Sequence, residues 1–374
     1  MFQREIQAQI EKWIFKNKIL ILYGARQVGK TTLCKTILKK YSEKKSVYFN
    51  CEDPIVRLSL VDKSAEQIKN FFGEVEIVVL DEAQTIENIG RILKLFFDQY
   101  PNIQIIATGS SSFDLANKIN EPLTGRSIEF KIYPLSILEI GANQLSLKSN
   151  LEKYLNYGTY PEIVDKTNRI AQELVTDLAN KYLSKDILNF EGVKNSTLII
   201  KLLKALAYQI GNEVSFTELA NLVGSNKNTV ERYVDILEKS FVIFRLSSFS
   251  TNQRNEISKS RKIYFYDLGL RNAVIGEFGN MELRNDKGAI WENFVISELL
   301  KQAENKRDLA TFYFWRTYTQ QEIDLIVKKN NTLQAVEIKI SAKKQPKIPE
   351  SFIKNYPDTT FSFINQENWL EFLT

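Results

Sequence analysis

The stretch Gly24-Ala-Arg-Gln-Val-Gly-Lys-Thr31 satisfies GxxxxGK[ST] at every fixed position. Its glycines let the backbone wrap closely around phosphate oxygens. The N–H groups that open the following helix then face an anion. In such a loop Lys30 reaches the outer phosphates and the Thr31 hydroxyl holds Mg²⁺. Ala25, Arg26, Gln27, Val28, Gly29 and Thr32 complete the candidate ATP-binding segment, Gly24–Thr32. The competing reading is a chance glycine loop beside a lysine. It is weakened by the context, an apolar run KILILYG before the loop and a helical pattern after it.

Val78-Val79-Leu80-Asp81-Glu82 is an apolar run ending in two carboxylates, and α/β sheets bind ligands at the carboxyl ends of their strands. Asp81 suits the outer coordination of Mg²⁺, and Glu82 is placed to orient or deprotonate a water. Another run, Ile103–Ala107, ends in Thr108-Gly-Ser-Ser-Ser112. Here Ser110, with Thr108 close behind, is the candidate for sensing a γ-phosphate; an ordinary polar turn is the alternative. Leu123-Thr-Gly-Arg126 offers a guanidinium to stabilise charge on a transferring phosphoryl group, either within its own chain or toward a neighbour's nucleotide. The competing reading is a surface arginine.

A second set of charged residues lies near the end of the chain: Glu292, Asp324, Glu337 and Lys339. In LQAVEIKI, side chains alternate, so Glu337 and Lys339 share one face while Val336 and Ile338 take the other. The 13 positions from Asp324 to Glu337 leave room for a hairpin turn at NNT, which lets the two acids meet across adjacent strands. Glu292 falls on a stripe with Val295, Ile296 and Leu299. A carboxylate there is costly unless compensated, and a divalent ion would compensate it. A surface Glu/Lys pair is the plain alternative.

These residues need a scaffold. A helix over 3–15 carries Ile6, Ile10, Trp13 and Ile14 on one stripe. Continuous apolar runs at KILILYG, SVYFN, EIVVL and NIQIIATG, separated by helical stretches, predict a parallel sheet covered on both faces. Residues 146–205 read as a helical lid or linker. In 206–275, Ser215 and Glu218 form a capping box, Gly224 ends the first helix and Asn228 caps a second. Val230, Tyr233, Val234 and Leu237 give the second helix its apolar stripe. Two short helices joined by a glycine turn read as helix-turn-helix, and the run VIFRLSSF supplies a wing. In a DNA-binding version, Lys227, Asn228 and Arg232 lie near the groove, and Arg254, Lys259, Arg261 and Lys262 lie near the wing. Acid on the same helix (Glu231, Asp235, Glu238) equally suits packing against protein. Residues 276–374 carry a helix over 288–302 and three strands, TFYFWRT, EIDLIV and LQAVEIKI.

GARQVGKTT, VVLDEAQ, IIATGSSS, LTGRSIEFKIYPLSILE, YLNYGTYPEIV and YLSKDIL together resemble archaeal and bacterial AAA ATPases whose C-terminal half is the DUF4143 region. The resemblance implies an α/β fold: an AAA-type P-loop core over 1–145, the helical segment, a winged helix, and a small restriction-endonuclease-like domain. It also implies a PD-(D/E)XK arrangement in the tail, with Asp324 and Glu337 on Mg²⁺, Glu292 in support and Lys339 positioning or activating water. Ile323-Asp324 departs from the literal Pro-Asp of that motif.

The chain has 374 residues, with 50 basic side chains against 45 acidic. That near balance permits nucleic-acid contact without arguing for it. There is no histidine, which excludes His-based triads and His-ligated metals. Cys34 and Cys51 form no CxxC pair. No apolar run approaches the roughly 20 residues that span a bilayer, and MFQREIQAQIEKW lacks the apolar centre of a leader, so a cytoplasmic location is expected. The expected partners are ATP and DNA, with a homo-oligomer or a protein partner as further expectations and no membrane. The alternative function is an ATP-driven switch for a protein partner with a silent tail.

Overall fold

The computed structural model describes residues 2–110, 123–141, 143–182, 193, 195–250, 261–341 and 346–374. Arg254, Lys259, Ser111, Ser112 and most of the YLSKDIL segment lie outside the described residues. The chain forms two compact units, one of Gln3–Tyr133 with Lys239–Phe241 and the other of Pro134–Glu238 with Val242–Thr374.

The first unit is built on five parallel strands: β1 (Ile19–Gly24), β2 (Ser46–Asn50), β3 (Ile77–Asp81), β4 (Gln104–Gly109) and β5 (Ser127–Ile132), in the order β2-β3-β4-β1-β5. Every residue of β1, β3 and β4 is buried, as unbroken apolar runs require. Among the described residues, this unit holds helices α1 (Ile6–Glu11), α2 (Lys30–Lys40), α3 (Pro54–Leu60), α4 (Ala65–Phe72) and α5 (Ile89–Gln99). Their starts follow local chemistry. Asp53 caps α3 with Pro54 in its first turn, and Ser64 and Gln67 form a reciprocal capping box on α4. The α1 helix is shorter than the 3–15 expected, because Phe15 and Asn17 take positive φ values of 58° and 51° and turn the chain into β1. Ile6, Ile10 and Ile14 are nevertheless buried, as their stripe requires.

After short helical stretches at Ile137–Ile140 and Gln144–Ser149, the second unit carries helices α6 (Leu151–Tyr157), α7 (Asn168–Tyr182) and α8 (Ser196–Tyr208). Then follow β6 (Glu213–Val214), α9 (Phe216–Val223), α10 (Lys227–Lys239), β7 (Ile243–Ser248), β8 (Arg261–Phe265) and α11 (Leu268–Ile275). Ser215 caps α9, and Gly224 ends it in the left-handed region. The cap of α10 is Asn226, whose Oδ1 accepts from the Thr229 N–H at 2.9 Å, not the expected Asn228. Only Gly224, Ser225 and Asn226 separate the two helices, so the second starts earlier and Asn228 sits exposed in its first turn.

The tail contributes α12 (Lys287–Lys306), β9 (Thr311–Arg316), β10 (Glu322–Lys329), β11 (Thr332–Ile338), α13 (Glu350–Asn355), β12 (Thr360–Ile364) and α14 (Trp369–Leu373). It shares one seven-stranded sheet with the preceding segment, ordered β12-β11-β10-β9-β7-β8-β6. The seam is a parallel pairing of β7 with β9, Ser247 opposite Tyr313 and Ser248 opposite Phe314. Phe249, Trp315, Ile323, Ile326, Ala335 and Phe352 pack beside that seam. A boundary near residue 275 therefore does not interrupt the sheet.

Candidate nucleotide site and tail cluster

At the end of β1 the backbone passes so close to β5 that a Cβ on Gly24 would lie 2.1 Å from the Ile132 carbonyl oxygen. Gly29 opens α2 with a φ of 96°. Both positions need glycine for backbone reasons alone. Gly24→Ala is expected to destabilise the first unit by about 1–3 kcal/mol or more, through overpacking against an immovable carbonyl. Thermal unfolding checks this; an unchanged midpoint would mean that β5 yields.

Lys30 arches back over the loop, its Nζ donating to the carbonyls of Gly24 and Ala25 at 2.8 Å each. Arg4 braces the loop from outside, donating to the Val28 carbonyl at 2.6 Å and the Tyr133 carbonyl at 2.8 Å. Sequence reasoning passed over Arg4, since a lone arginine on an amphipathic helix carries no local sign of burial.

The strand order puts β4 between β1 and β3, so the tips of all three converge. Asp81 is buried and is satisfied by hydroxyls: Thr31 Oγ1 donates at 2.6 Å, and the Thr108 and Tyr48 hydroxyls also donate. Thr108 Oγ1 additionally accepts the Glu82 N–H at 3.1 Å. Of the two sensing candidates, it is therefore Thr108 that touches Asp81. Ser110 accepts instead from Gln84 Nε2 at 3.1 Å, and the same nitrogen donates to Glu82 Oε2 at 2.5 Å. Neither Gln84 nor Tyr48 was singled out from sequence. Both cysteines are buried free thiols. Burial, with Asp81 and Glu82 nearby, pushes Cys51 up to about 12, and burial with Asp81 likewise raises Cys34, so both stay protonated and unreactive.

The oxygen donors gathered here suit a hard divalent cation. Thr31 and Asp81 meet directly, 2.6 Å apart, beside the loop. The set assembled from sequence thus converges, with one exception. Arg126 lies at the other end of the sheet, its carbonyl accepting from the Ile19 N–H that begins β1 at 2.9 Å. The length of β1 separates it from the loop, about 17 Å at roughly 3.3 Å per residue. Its guanidinium forms a two-point pair with Asp98, at 2.7 and 3.1 Å. The in-chain alternative for Arg126 is therefore removed by geometry.

In the tail, β10 and β11 are joined by the two-residue turn Asn330-Asn331, with Asn330 at φ 52°. Leu325 pairs with Val336, which brings Asp324 and Glu337 together as the spacing predicts. Asp324 Oδ2 accepts from the Ile338 N–H at 2.8 Å and from Lys339 Nζ at 2.7 Å, while Lys339 Nζ lies 3.1 Å from Glu337 Oε2. Burial, then the neighbouring Asp324 carboxylate, pushes Glu337 up to about 7 against the pull of Lys339.

Glu292 lies close enough to Asp324 that burial, and then that carboxylate, raise it, but its described hydrogen bonds go elsewhere. Tyr264 donates to it at 2.6 Å and Lys262 at 3.1 Å, and Lys262 also reaches Glu322 at 2.5 Å. The compensation expected from a divalent ion comes from a lysine. Lys262 is only 3% exposed, so the expectation that it lies near DNA is corrected: on β8 it shares a face with Tyr264 and turns inward. Arg261 is half-buried, 3.9 Å from Glu231. Among the described residues, no three acidic or cysteine side chains converge closely enough to hold a metal ion. The described residues therefore do not fit a three-carboxylate metal centre.

Family models match the chain in three consecutive stretches. Residues 16–141 match one described as AAA domain, and residues 287–368 match a domain of unknown function, DUF4143. The chain is thus similar to an AAA domain over its first unit and to DUF4143 over its tail. Between them, residues 148–280 match a second domain of unknown function, DUF8612. An uncharacterized protein of Methanocaldococcus jannaschii is 28% identical, over 96% of this chain and 83% of its own length. One of Mycobacterium tuberculosis is 26% identical, over 90% of this chain and 74% of its own. The chromosomal replication initiator DnaA of Buchnera aphidicola is 23% identical, over 63% and 53% respectively. Among solved structures, the Walker-type ATPase paby2304 of Pyrococcus abyssi superposes with a TM-score of 0.51 at 15% identity, covering 74% of this chain and 96% of that one. That likeness agrees with the AAA-type fold. Among the described residues no helix is long and apolar enough to cross a membrane.

Proposed function

We propose that this AAA-domain chain binds and hydrolyses ATP at the loop Gly24–Thr32. The observation that carries the reading is the convergence of Lys30, Thr31, Asp81, Glu82 and Thr108 at the tips of β1, β3 and β4. Loop N–H groups and the opening of α2 bind the phosphates, and Lys30 leaves the Gly24 and Ala25 carbonyls to neutralise the outer ones. Thr31 and Asp81 would hold Mg²⁺, which supplies charge neutralisation on the phosphate oxygens. Glu82 takes the proton of a water as its oxygen bonds to the γ-phosphorus and the ADP oxygen leaves with the electron pair. Ser110 senses the γ-phosphate from the tip of β4. Release of phosphate from ATP by the purified chain tests the reading; binding without release would reduce it to a nucleotide sensor.

Arg126 acts, on this reading, toward a neighbouring copy's nucleotide after exchanging Asp98 for phosphate. Arg126→Ala is expected to leave ATP affinity unchanged and to lower turnover at least tenfold at concentrations where copies associate. Turnover equal to the parent protein's across that range would make the Arg126–Asp98 pair structural.

The proposed role of hydrolysis is to drive action on DNA. Strands β6, β7 and β8 flank the α9–α10 pair as in a winged helix, and Lys227, Asn228 and Arg232 are exposed along the start of α10. The name of the Buchnera relative, a replication initiator, lends support from a different direction. A second reading, an ATP-driven switch for a protein partner with a silent tail, is favoured by one observation. Lys262 and Arg261 are spent on Glu292, Glu322 and Glu231. Binding to labelled linear, forked and junction DNA across a salt series separates the two, because phosphate neutralisation gives a steep salt slope. The same substrates, incubated with Mg²⁺ or Mn²⁺ beside a Glu337→Ala control, test the nuclease-like tail. Cleavage lost in that variant would establish it; no cleavage and no salt-dependent binding would favour the switch.

A further inference from the structure

We propose that Gln84 is the positioning residue that holds Glu82 in register with Ser110; this rests on the ATP-hydrolysing reading of the site. Gln84 sits in the single turn Ala83–Thr85 that follows β3. Its amide nitrogen donates to Glu82 Oε2 at 2.5 Å and to Ser110 Oγ at 3.1 Å. A primary amide nitrogen carries two hydrogens, so it satisfies both acceptors at once. The turn itself is pinned: the Thr85 hydroxyl donates to the Cys51 carbonyl at 2.8 Å and the Glu82 carbonyl at 2.9 Å. The Glu82 backbone is fixed as well, at a φ of 54° with its N–H on Thr108 Oγ1. What those contacts leave open is the rotamer of the Glu82 carboxylate, and Gln84 closes it.

The linkage has a direction. Ser110 ends the strand beside β1, while Glu82 follows β3, and one amide spans the two strand tips. When Ser110 turns its hydroxyl to a γ-phosphate, the amide stays anchored on both sides and the carboxylate is set for its water. The serine that reads the phosphate and the base that acts on it are then coupled through a neutral group that takes no proton itself.

Gln84→Ala is expected to lower kcat about ten- to a hundredfold, part of the 10²–10⁴ that a positioned base contributes, with KM for ATP within about twofold. Gln84→Glu keeps the length but replaces the amide donor with a second carboxylate set against Glu82. Its kcat should therefore fall at least as far as that of Gln84→Ala, with KM for ATP again within about twofold. Ser110→Ala combined with Gln84→Ala should cost less than the sum of the two alone, as coupled neighbours do. A merely structural glutamine would show neither a loss confined to kcat nor the coupling. If the parent protein hydrolyses ATP and Gln84→Ala does so at the same kcat, the proposal fails while the ATPase reading stands. Additive costs for the two variants, or a kcat equal to the parent protein's in Gln84→Glu, overturn it as well. A parent protein that binds ATP without hydrolysing it removes both.

Discussion

Lys30→Ala is expected to weaken ATP binding by at least tenfold and to reduce turnover to background, as followed with a fluorescent nucleotide. The Lys30 ammonium is buried at the mouth of the loop and held by two main-chain carbonyls that are themselves part of the phosphate cradle. It thus occupies the place its nucleotide-bound partner oxygens would take, and binding exchanges neutral acceptors for charged ones. A hydrogen bond to a charged group contributes roughly 1.5–3 kcal/mol, or about 10- to 150-fold in affinity. The loss of turnover is larger than the loss of binding, because charge develops on the transferring phosphoryl oxygens after binding. The substitution also leaves the Gly24 and Ala25 carbonyls without their donor, so the empty loop should loosen. An affinity equal to that of the parent protein would place the nucleotide elsewhere.

Glu82→Gln separates the two halves of the site. Its backbone is set by the left-handed turn and the Thr108 contact, neither of which needs the carboxylate. Nucleotide binding is therefore expected to persist, while kcat falls about 10²–10⁴-fold with loss of the base. A single-turnover measurement is the clean check, since it reads chemistry apart from product release. Full turnover would reassign the base, and Asp81, occupied by three hydroxyls, would be a poor substitute.

Much of the nucleotide site was legible in sequence because its determinants are local. Glycines at positions 24 and 29 answer to backbone constraints within the loop, and the carboxylates of Asp81 and Glu82 end an apolar run that has to be a buried strand. The Asp324–Glu337 meeting was legible for a related reason, since a two-residue turn fixes the hairpin register. Long-range pairings were not. Lys262 and Tyr264 alternate on one face of RKIYF, yet nothing near them says that Glu292, 30 positions from Lys262, is what they face. Nor does any local signal announce that β7 lies parallel to β9, or that Arg4 reaches Val28.

For Arg126, the choice between its own chain's nucleotide and a neighbour's was legible in the strand order. The sign was present: in a parallel sheet, a residue just before a strand lies at the end opposite a residue just after one. Arg126 precedes β5 and the phosphate loop follows β1, so the two had to be apart. For Thr108 and Ser110, residues two apart at a strand tip, the deciding factor was the position of Gln84 on a turn too short to be read from periodicity.

Calorimetric titration of the purified chain with a non-hydrolysable ATP analogue, with and without Mg²⁺, addresses the nucleotide site most directly. One saturable site per chain, strengthened by Mg²⁺ and lost in Lys30→Ala, is the expected result. No saturable binding by the parent protein in the presence of Mg²⁺ would contradict the assignment of Gly24–Thr32 as a working ATP site.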